Sequence, residues 1–387
     1  MRLPFFAVSP PGLESITQHE LFNLGVNLPR AVSGGVEFEG FLSHLYKINL
    51  WSRTASRVLV RIGEFEAKSF AELERKAEKV EWGKFLKGGS TINVRATCHK
   101  SKLYHSDGVA ERIADAIKSQ IGEKPKSQNP KPQKSDPHSA NLKSPVSDIQ
   151  SQLVVVRLDH DHCTISLDSS GDHLHQRGYR LETAKAPLRE NIAAALLLQA
   201  KYDPAQPLID PFCGSGTFAI EAAMMARKIA PGLNRKFSFT HWKNFDTQVW
   251  GDLLREAREK VDDQIKPIIQ ASDRDAGAIE AATANAKRAG VAESIQFRVC
   301  AFSSIEVPNE KGLVISNLPY GKRVGEDSDL RNLYAQLGNV AREKLKGWRL
   351  ALLTDDPHQI KAAALDLNIT LKTENGGVRV VLLQNFV

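Results

Sequence analysis

Cysteine is scarce in this chain: four in 387 residues, Cys98, Cys163, Cys213 and Cys300. No two form a Cys-x-x-Cys pair, so neither a zinc site nor a disulfide framework is indicated, and reduced thiols in a cytoplasmic setting are the simple expectation. No uninterrupted apolar run approaches the roughly 20 residues of a membrane span, so no membrane partner is expected. The opening Met1-Arg2-Leu3-Pro4-Phe5-Phe6-Ala7-Val8 is too short and too soon broken for a secretory signal. No Gly-Lys-Ser/Thr is present to make a Walker phosphate loop. A Gly-x-Ser-x-Gly elbow at Ser215 is excluded because position 213 is Cys. Asp159-His160-Asp161-His162-Cys163, with His173 and His175 beyond it, reads as solvated polar turns, so no metal is expected.

What is present is an ordinary globular composition with a mild basic excess, net charge +7. That excess fits a nucleic-acid partner without demanding one. The length allows two or three domains. Residues 1–65 mix strand-like runs (Phe5–Val8, Gly35–Gly40, Arg57–Ile62) with two helices. Residues 66–170 form a second unit. It has a helix from Phe70 capped by Ser69, with Glu72 three residues on. The strand Thr91–Thr97, the basic loop His99–His105 and a helix from about Gly108 to Ile121 follow. Residues 123–151 are rich in Pro, Lys, Ser and Gln and almost free of apolar side chains, which predicts a disordered insertion. From about residue 180 helices and strands alternate. The pattern predicts an α/β doubly wound parallel sheet with ligands at the strand C-termini.

Asp210-Pro211-Phe212-Cys213-Gly214-Ser215-Gly216-Thr217 follows the apolar run Pro207-Leu208-Ile209 and opens a helix. The glycines admit close backbone approach to a ligand. An acid at the strand tip repels phosphate and favours a cation, which argues for S-adenosylmethionine over a dinucleotide. Pro211, Cys213, Gly214, Gly216 and Thr217 would line that turn. Asp273, after the next strand, is the expected ribose ligand beside Arg274, with Asp275 capping the following helix. A second stretch, Ser316-Asn317-Leu318-Pro319-Tyr320-Gly321, follows the strand Gly312–Ile315. An aromatic exocyclic amine is a poor nucleophile because its lone pair is delocalised into the ring. The side-chain oxygen of Asn317 and the carbonyl of Leu318 would accept its two hydrogens, Pro319 would hold the loop, and Tyr320 would stack on a base held out of its helix. Asn317 also borders the cofactor. Proximity and dry electrostatics would do most of the work.

Several stretches resemble one family, the THUMP-domain class I RNA methyltransferases that modify the guanine N2 amine of 23S ribosomal RNA (the RlmL-like N-terminal half). They are Leu167–Arg180, Ala186-Pro187-Leu188-Arg189-Glu190, Asp210–Thr217, Ala230-Pro231-Gly232-Leu233 and Ser316–Gly321. The resemblance implies a ferredoxin-like domain at 1–65, a THUMP RNA-binding domain at 66–170 and a Rossmann-like methyltransferase domain at 171–387. It implies S-adenosylmethionine as cofactor and RNA as partner, 23S ribosomal RNA or a large-subunit precursor, with no obligate protein partner. Arg95, Lys100 and Lys102 become phosphate contacts. Two positions depart from the family pattern: Leu318 replaces the first proline of Asn-Pro-Pro-Tyr, and Ala301 replaces the acid that reads the adenine amine. Larger members carry a second fused methyltransferase unit, which this sequence ends too early to hold. The alternatives are a tRNA guanine-N2 or RNA adenine-N6 methyltransferase, or a non-catalytic RNA-binding assembly factor.

Overall fold

The computed structural model describes residues 2–122, 151–181, 188–319 and 327–387. Tyr320, Gly321, Ala186, Pro187 and the expected insertion other than Ser151 lie outside the described residues. Two seven-stranded sheets organise the described residues. The first sheet and its helices comprise β1 (Leu3–Val8), α1 (Glu14–Asn23), β2 (Arg30–Val32), β3 (Gly35–Gly40), α2 (Leu42–Trp51) and β4 (Arg57–Glu66). They continue through α3 (Phe70–Ala77), β5 (Thr91–His99), α4 (Ser106–Ile121), β6 (Ser151–Asp159) and β7 (His162–Asp168). The strands lie in the order β2-β3-β1-β4-β7-β6-β5. Alternation builds them. In β5, Ile92 and Val94 are buried while Arg95 and Thr97 face outward. Leu21, Leu45, Leu73 and Ile113, one from each helix, enter the same core. Ser69 caps α3 by accepting from the Glu72 amide at 3.3 Å. β4 pairs with β7, Leu59 opposite Asp168. Strands anticipated in separate units at 1–65 and 66–170 therefore share one sheet, because β4 is long enough, at 10 residues, to pair on both edges.

The remainder runs α5 (Glu190–Gln199), β8 (Leu208–Asp210), α6 (Thr217–Ala226), α7 (Thr247–Glu259), β9 (Ile269–Asp273), α8 (Ala276–Arg288), β10 (Gln296–Val299) and β11 (Leu313–Asn317). It ends with α9 (Asp327–Lys344), β12 (Arg349–Thr354), α10 (Pro357–Ala362), β13 (Asn368–Asn375) and β14 (Val378–Phe386). The sheet order is β10-β9-β8-β11-β12-β14-β13. The α/β doubly wound architecture anticipated from the sequence is present, but its sheet is not parallel throughout. β14 runs antiparallel between β12 and β13. The cause is a tight hairpin at Gly376-Gly377, both with positive φ. Sequence reading also missed β13, an edge strand with few buried side chains, the short β2, the mostly polar helix α7, and the helices α9 and α10.

Strand order reverses between β8 and β11, with β9 and β10 on one side and β12 on the other. Such switch points open a crevice at the strand C-termini. The segment after α6 reaches back to the first sheet: Phe237, Phe239 and Trp242 belong to its core. Gly232 donates to the Leu50 carbonyl at 2.9 Å. A Cβ there would lie 2.8 Å from the Asn49 oxygen, so the close approach requires glycine. Among the described residues no helix is long and apolar enough to cross a membrane.

Candidate active site

The tips of β8, β9 and β11 converge on the switch point. Asp210 ends β8 and is buried. The turn that follows is held by its neighbours: the Cys213 amide donates to Ser272 O at 3.0 Å and the Gly216 amide to Cys213 O at 2.8 Å. Asn285 on α8 donates to Ser215 O at 3.2 Å. Gly214 and Gly216 have φ of 50° and 83°, the left-handed region that glycine occupies without strain. A Cβ at Gly216 would come within 3.0 Å of Ala282 Cβ, so glycine also sets how closely α6 meets α8. Pro211, Cys213 and Thr217 are buried at this turn. Phe212 stacks on Phe302 at 5.4 Å.

Asp273, at the end of β9, faces the same turn. Its Oδ2 accepts from the Gly214 amide at 3.0 Å and its Oδ1 from the Asp275 amide at 3.1 Å. A carboxylate oxygen has capacity for more than one donor, so ribose hydroxyls can join these amides. Asp275 accepts from the Gly277 amide at 2.9 Å and caps α8, the role anticipated for it. Arg274 is exposed beside them. After β10, Ala301 is exposed and offers no acceptor side chain.

Burial drives the Asp210 carboxyl up to about 7, opposed by hydrogen bonds from Ser316 and the Phe212 amide, and pushed further by the charge of Asp273. No described cation pairs with it. Asn317 closes β11, and its Oδ1 is buried with no hydrogen-bond partner among the described residues. Orphaned buried acceptors are rare and call for an explanation. An uncompensated buried carboxylate and an orphaned amide oxygen together fit ligands that bring a positive charge and an N–H donor. Leu318, where the family pattern has proline, donates its amide to Leu353 O at 3.0 Å. Its side chain is buried with Tyr334, Leu352 and Ile360. Proline makes neither contact in that way, so leucine anchors this loop by a different route. Pro319 follows, half-buried.

Arg95, Lys100 and Lys102 are all exposed, on the first sheet and its connecting loop, separate from the switch point. The loop is ordered by its neighbour: the Lys102 amide donates to Asp161 Oδ1 at 2.6 Å and the Asp161 amide to Ser101 Oγ at 3.0 Å. His99, Asp159 and His160 cluster there, with Arg157 on the second carboxylate oxygen at 3.0 Å. That cation and the lysines oppose a bound metal ion. His173 and His175 stack on each other at 5.3 Å.

Two features escaped the sequence reading. Tyr104, 72% exposed, packs at a tilt against His105 with ring centroids 4.2 Å apart; an aromatic inside a basic loop was the available signal. Ser316 donates to Asp210 Oδ1 at 2.5 Å; a hydroxyl breaking an apolar strand was the signal there.

Family models match nearly the whole chain. They are described as an RlmL ferredoxin-like domain at residues 4–59, a THUMP domain at 67–168, and an RMKL-like methyltransferase domain at 177–383. The chain is 38% identical over 392 residues to the ribosomal RNA large subunit methyltransferase K/L of Syntrophotalea carbinolica, covering 98% of this chain and 53% of that protein. It is 35% identical over 382 residues to a candidate RNA methyltransferase of Synechocystis sp., covering 98% and 96%. The chain thus spans about half the length of the K/L relatives it matches. A crystal structure of a candidate methyltransferase complexed with S-adenosylhomocysteine superposes with a TM-score of 0.87 at 30% identity, over 100% of this chain and 98% of that one.

Proposed function

Because the chain belongs to the RMKL-like methyltransferase family, we propose that it moves a methyl group from S-adenosylmethionine to the exocyclic N2 amine of a guanine in 23S ribosomal RNA. The observation that carries this reading is the buried Asn317 Oδ1, without a hydrogen-bond partner among the described residues, at the tip of the strand that brings Ser316 to Asp210. The cofactor supplies an electrophilic methyl on a cationic sulfonium. Asp210 and the glycine turn take its positive end, and Asp273 takes the ribose hydroxyls. Asn317 Oδ1 and the Leu318 carbonyl accept the two amine hydrogens, which aims the nitrogen lone pair. Attack by the nitrogen would form the N–CH3 bond as the CH3–S bond breaks, with S-adenosylhomocysteine leaving, and the now acidic nitrogen would pass its proton to water without a strong base. Arg95, Lys100 and Lys102 meet RNA phosphates, which position the substrate without reading its sequence.

The name of the K/L relative supports the ribosomal substrate. The loop Asn317-Leu318-Pro319, with leucine in place of proline, keeps adenine N6 as the second reading. Incubation of the full chain with isotope-labelled S-adenosylmethionine and unmodified 23S transcript tests both, with nucleoside analysis of the product. N2-methylguanosine is expected; label in N6-methyladenosine overturns the guanine assignment. In Asn317→Ala, methyl transfer is expected to fall at least about 100-fold, in line with loss of a group acting on the reacting amine, while RNA retention on a filter persists. Equal activity in the variant removes Asn317 from its role.

A further inference from the structure

Ser316 is a hydroxyl that follows three apolar residues in β11. Leu313, Val314 and Ile315 precede it, and all four are buried. β8 and β11 pair only at Leu208 with Leu313 and Ile209 with Val314. The ladder therefore ends short of both motifs. Beyond it, the Ser316 hydroxyl reaches across to Asp210 Oδ1 at 2.5 Å, joining residues 106 apart in sequence. One residue further on stands Asn317.

We propose that Ser316 is a positioning residue for methyl transfer: its hydroxyl locks the Asp210 carboxylate and ties the cofactor turn to the loop that holds the acceptor amine. This rests on the function proposed above. Among the described residues, the groups facing Asp210 are few. Ser316 comes from β11, Asp273 from β9, and the Phe212 amide and the Cys213 thiol from the turn itself. Burial and the neighbouring carboxylate hold the Cys213 thiol well above its usual range, so it brings no charge at neutral pH. Two described groups therefore stabilise the ionised acid, and Ser316 is the one that a side-chain substitution removes. A cationic cofactor selects the ionised form. Without the hydroxyl the carboxyl titrates higher, and at neutral pH a smaller fraction is competent to bind.

Calorimetric titration of the full chain with S-adenosylmethionine between pH 6 and 9 tests this. Wild-type affinity is expected to fall as pH is lowered through about 7. Ser316→Ala is expected to bind about tenfold more weakly at pH 7, the scale of one hydrogen bond to a charged group. The gap should close towards pH 9. Ser316→Thr keeps a hydroxyl and should follow the wild type. In an Asp210→Asn background the pH dependence should vanish, and adding Ser316→Ala should change nothing further. That double substitution keeps the test decisive should Ser316→Ala alone fold poorly. Weakening that is equal at every pH, or Ser316→Ala indistinguishable from wild type, overturns the positioning role. A wild-type chain that binds no S-adenosylmethionine at any pH overturns the parent reading along with it.

Discussion

At the scale of single residues, the site holds groups that the fold tolerates rather than favours. Asp210 is the clearest. Its carboxyl is raised from 3.8 to about 7 by burial first and by Asp273 second. The folded protein thus binds more protons than the unfolded chain, so this residue's contribution to stability is present below about pH 4 and is lost as pH rises towards 7. Asp210→Asn is therefore expected to raise the melting temperature of the ligand-free protein at pH 8, by a stability gain on the order of 3 kcal/mol, while cofactor affinity drops. A variant that melts lower at pH 8 contradicts that electrostatic account. Leu318 works in the opposite direction. Restoring the family's proline by Leu318→Pro removes the amide bond to Leu353 O and a side chain buried with Tyr334, Leu352 and Ile360. A cost of about 2 kcal/mol or more is expected, read as a lower melting temperature; an unchanged melting curve means that the leucine is not an anchor.

At the scale of elements, much of the site was legible in advance because its parts are contiguous. The strand, turn and helix around 210–217 are read from an apolar run, glycines with special φ and a second apolar run, all within one short window. The cap at Asp275 was legible for the same reason. β13 was not, because an edge strand carries little of the buried alternation by which strands are recognised. The loop from Lys100 to His105 is intermediate. Its charge was visible in sequence, but its ordering by Asp161 and the tilted contact of exposed Tyr104 with His105 were not. Lys100→Ala and Lys102→Ala are each expected to weaken RNA binding several-fold and to reduce the salt slope of binding by about 1, with S-adenosylmethionine affinity unchanged. A salt slope equal to wild type in both variants places the phosphate contacts elsewhere.

At the scale of the whole molecule, the two sheets are joined by buried polar chemistry as well as by the aromatic segment after α6. Arg53, just beyond α2, donates to the carbonyls of Ile229 at 2.7 Å and Met224 at 3.4 Å. Glu221 on α6 accepts from Tyr179 at 3.1 Å and lies 3.5 Å from Arg177 Nε. Arg177 in turn donates to Arg53 O. α6 is the helix that begins at the glycine turn, so the first sheet and its helices are fastened to the element that follows that turn. Removing one charge from a buried set costs more than a surface pair, about 3–5 kcal/mol. Glu221→Gln is expected to lower the melting temperature and to split unfolding into separate transitions for the two halves, by scanning calorimetry. One unshifted transition shows that apolar contacts alone hold them together.

The sequence by itself determined the local chemistry: the glycine turn, the acid at its head, the Asn317 loop, the basic loop and the family they jointly indicate. Each is a run of neighbouring residues whose backbone preference or side-chain chemistry acts within a few positions. Tertiary structure decided what those runs do to one another. It merged two expected units into one sheet through β4 and β7. It brought Ser316 to Asp210, buried that acid without a described counter-charge, and left Asn317 Oδ1 without a described partner. Such outcomes depend on strand order, register and exclusion of water between segments about a hundred residues apart, quantities set by the packed fold and carried by no single stretch of chain.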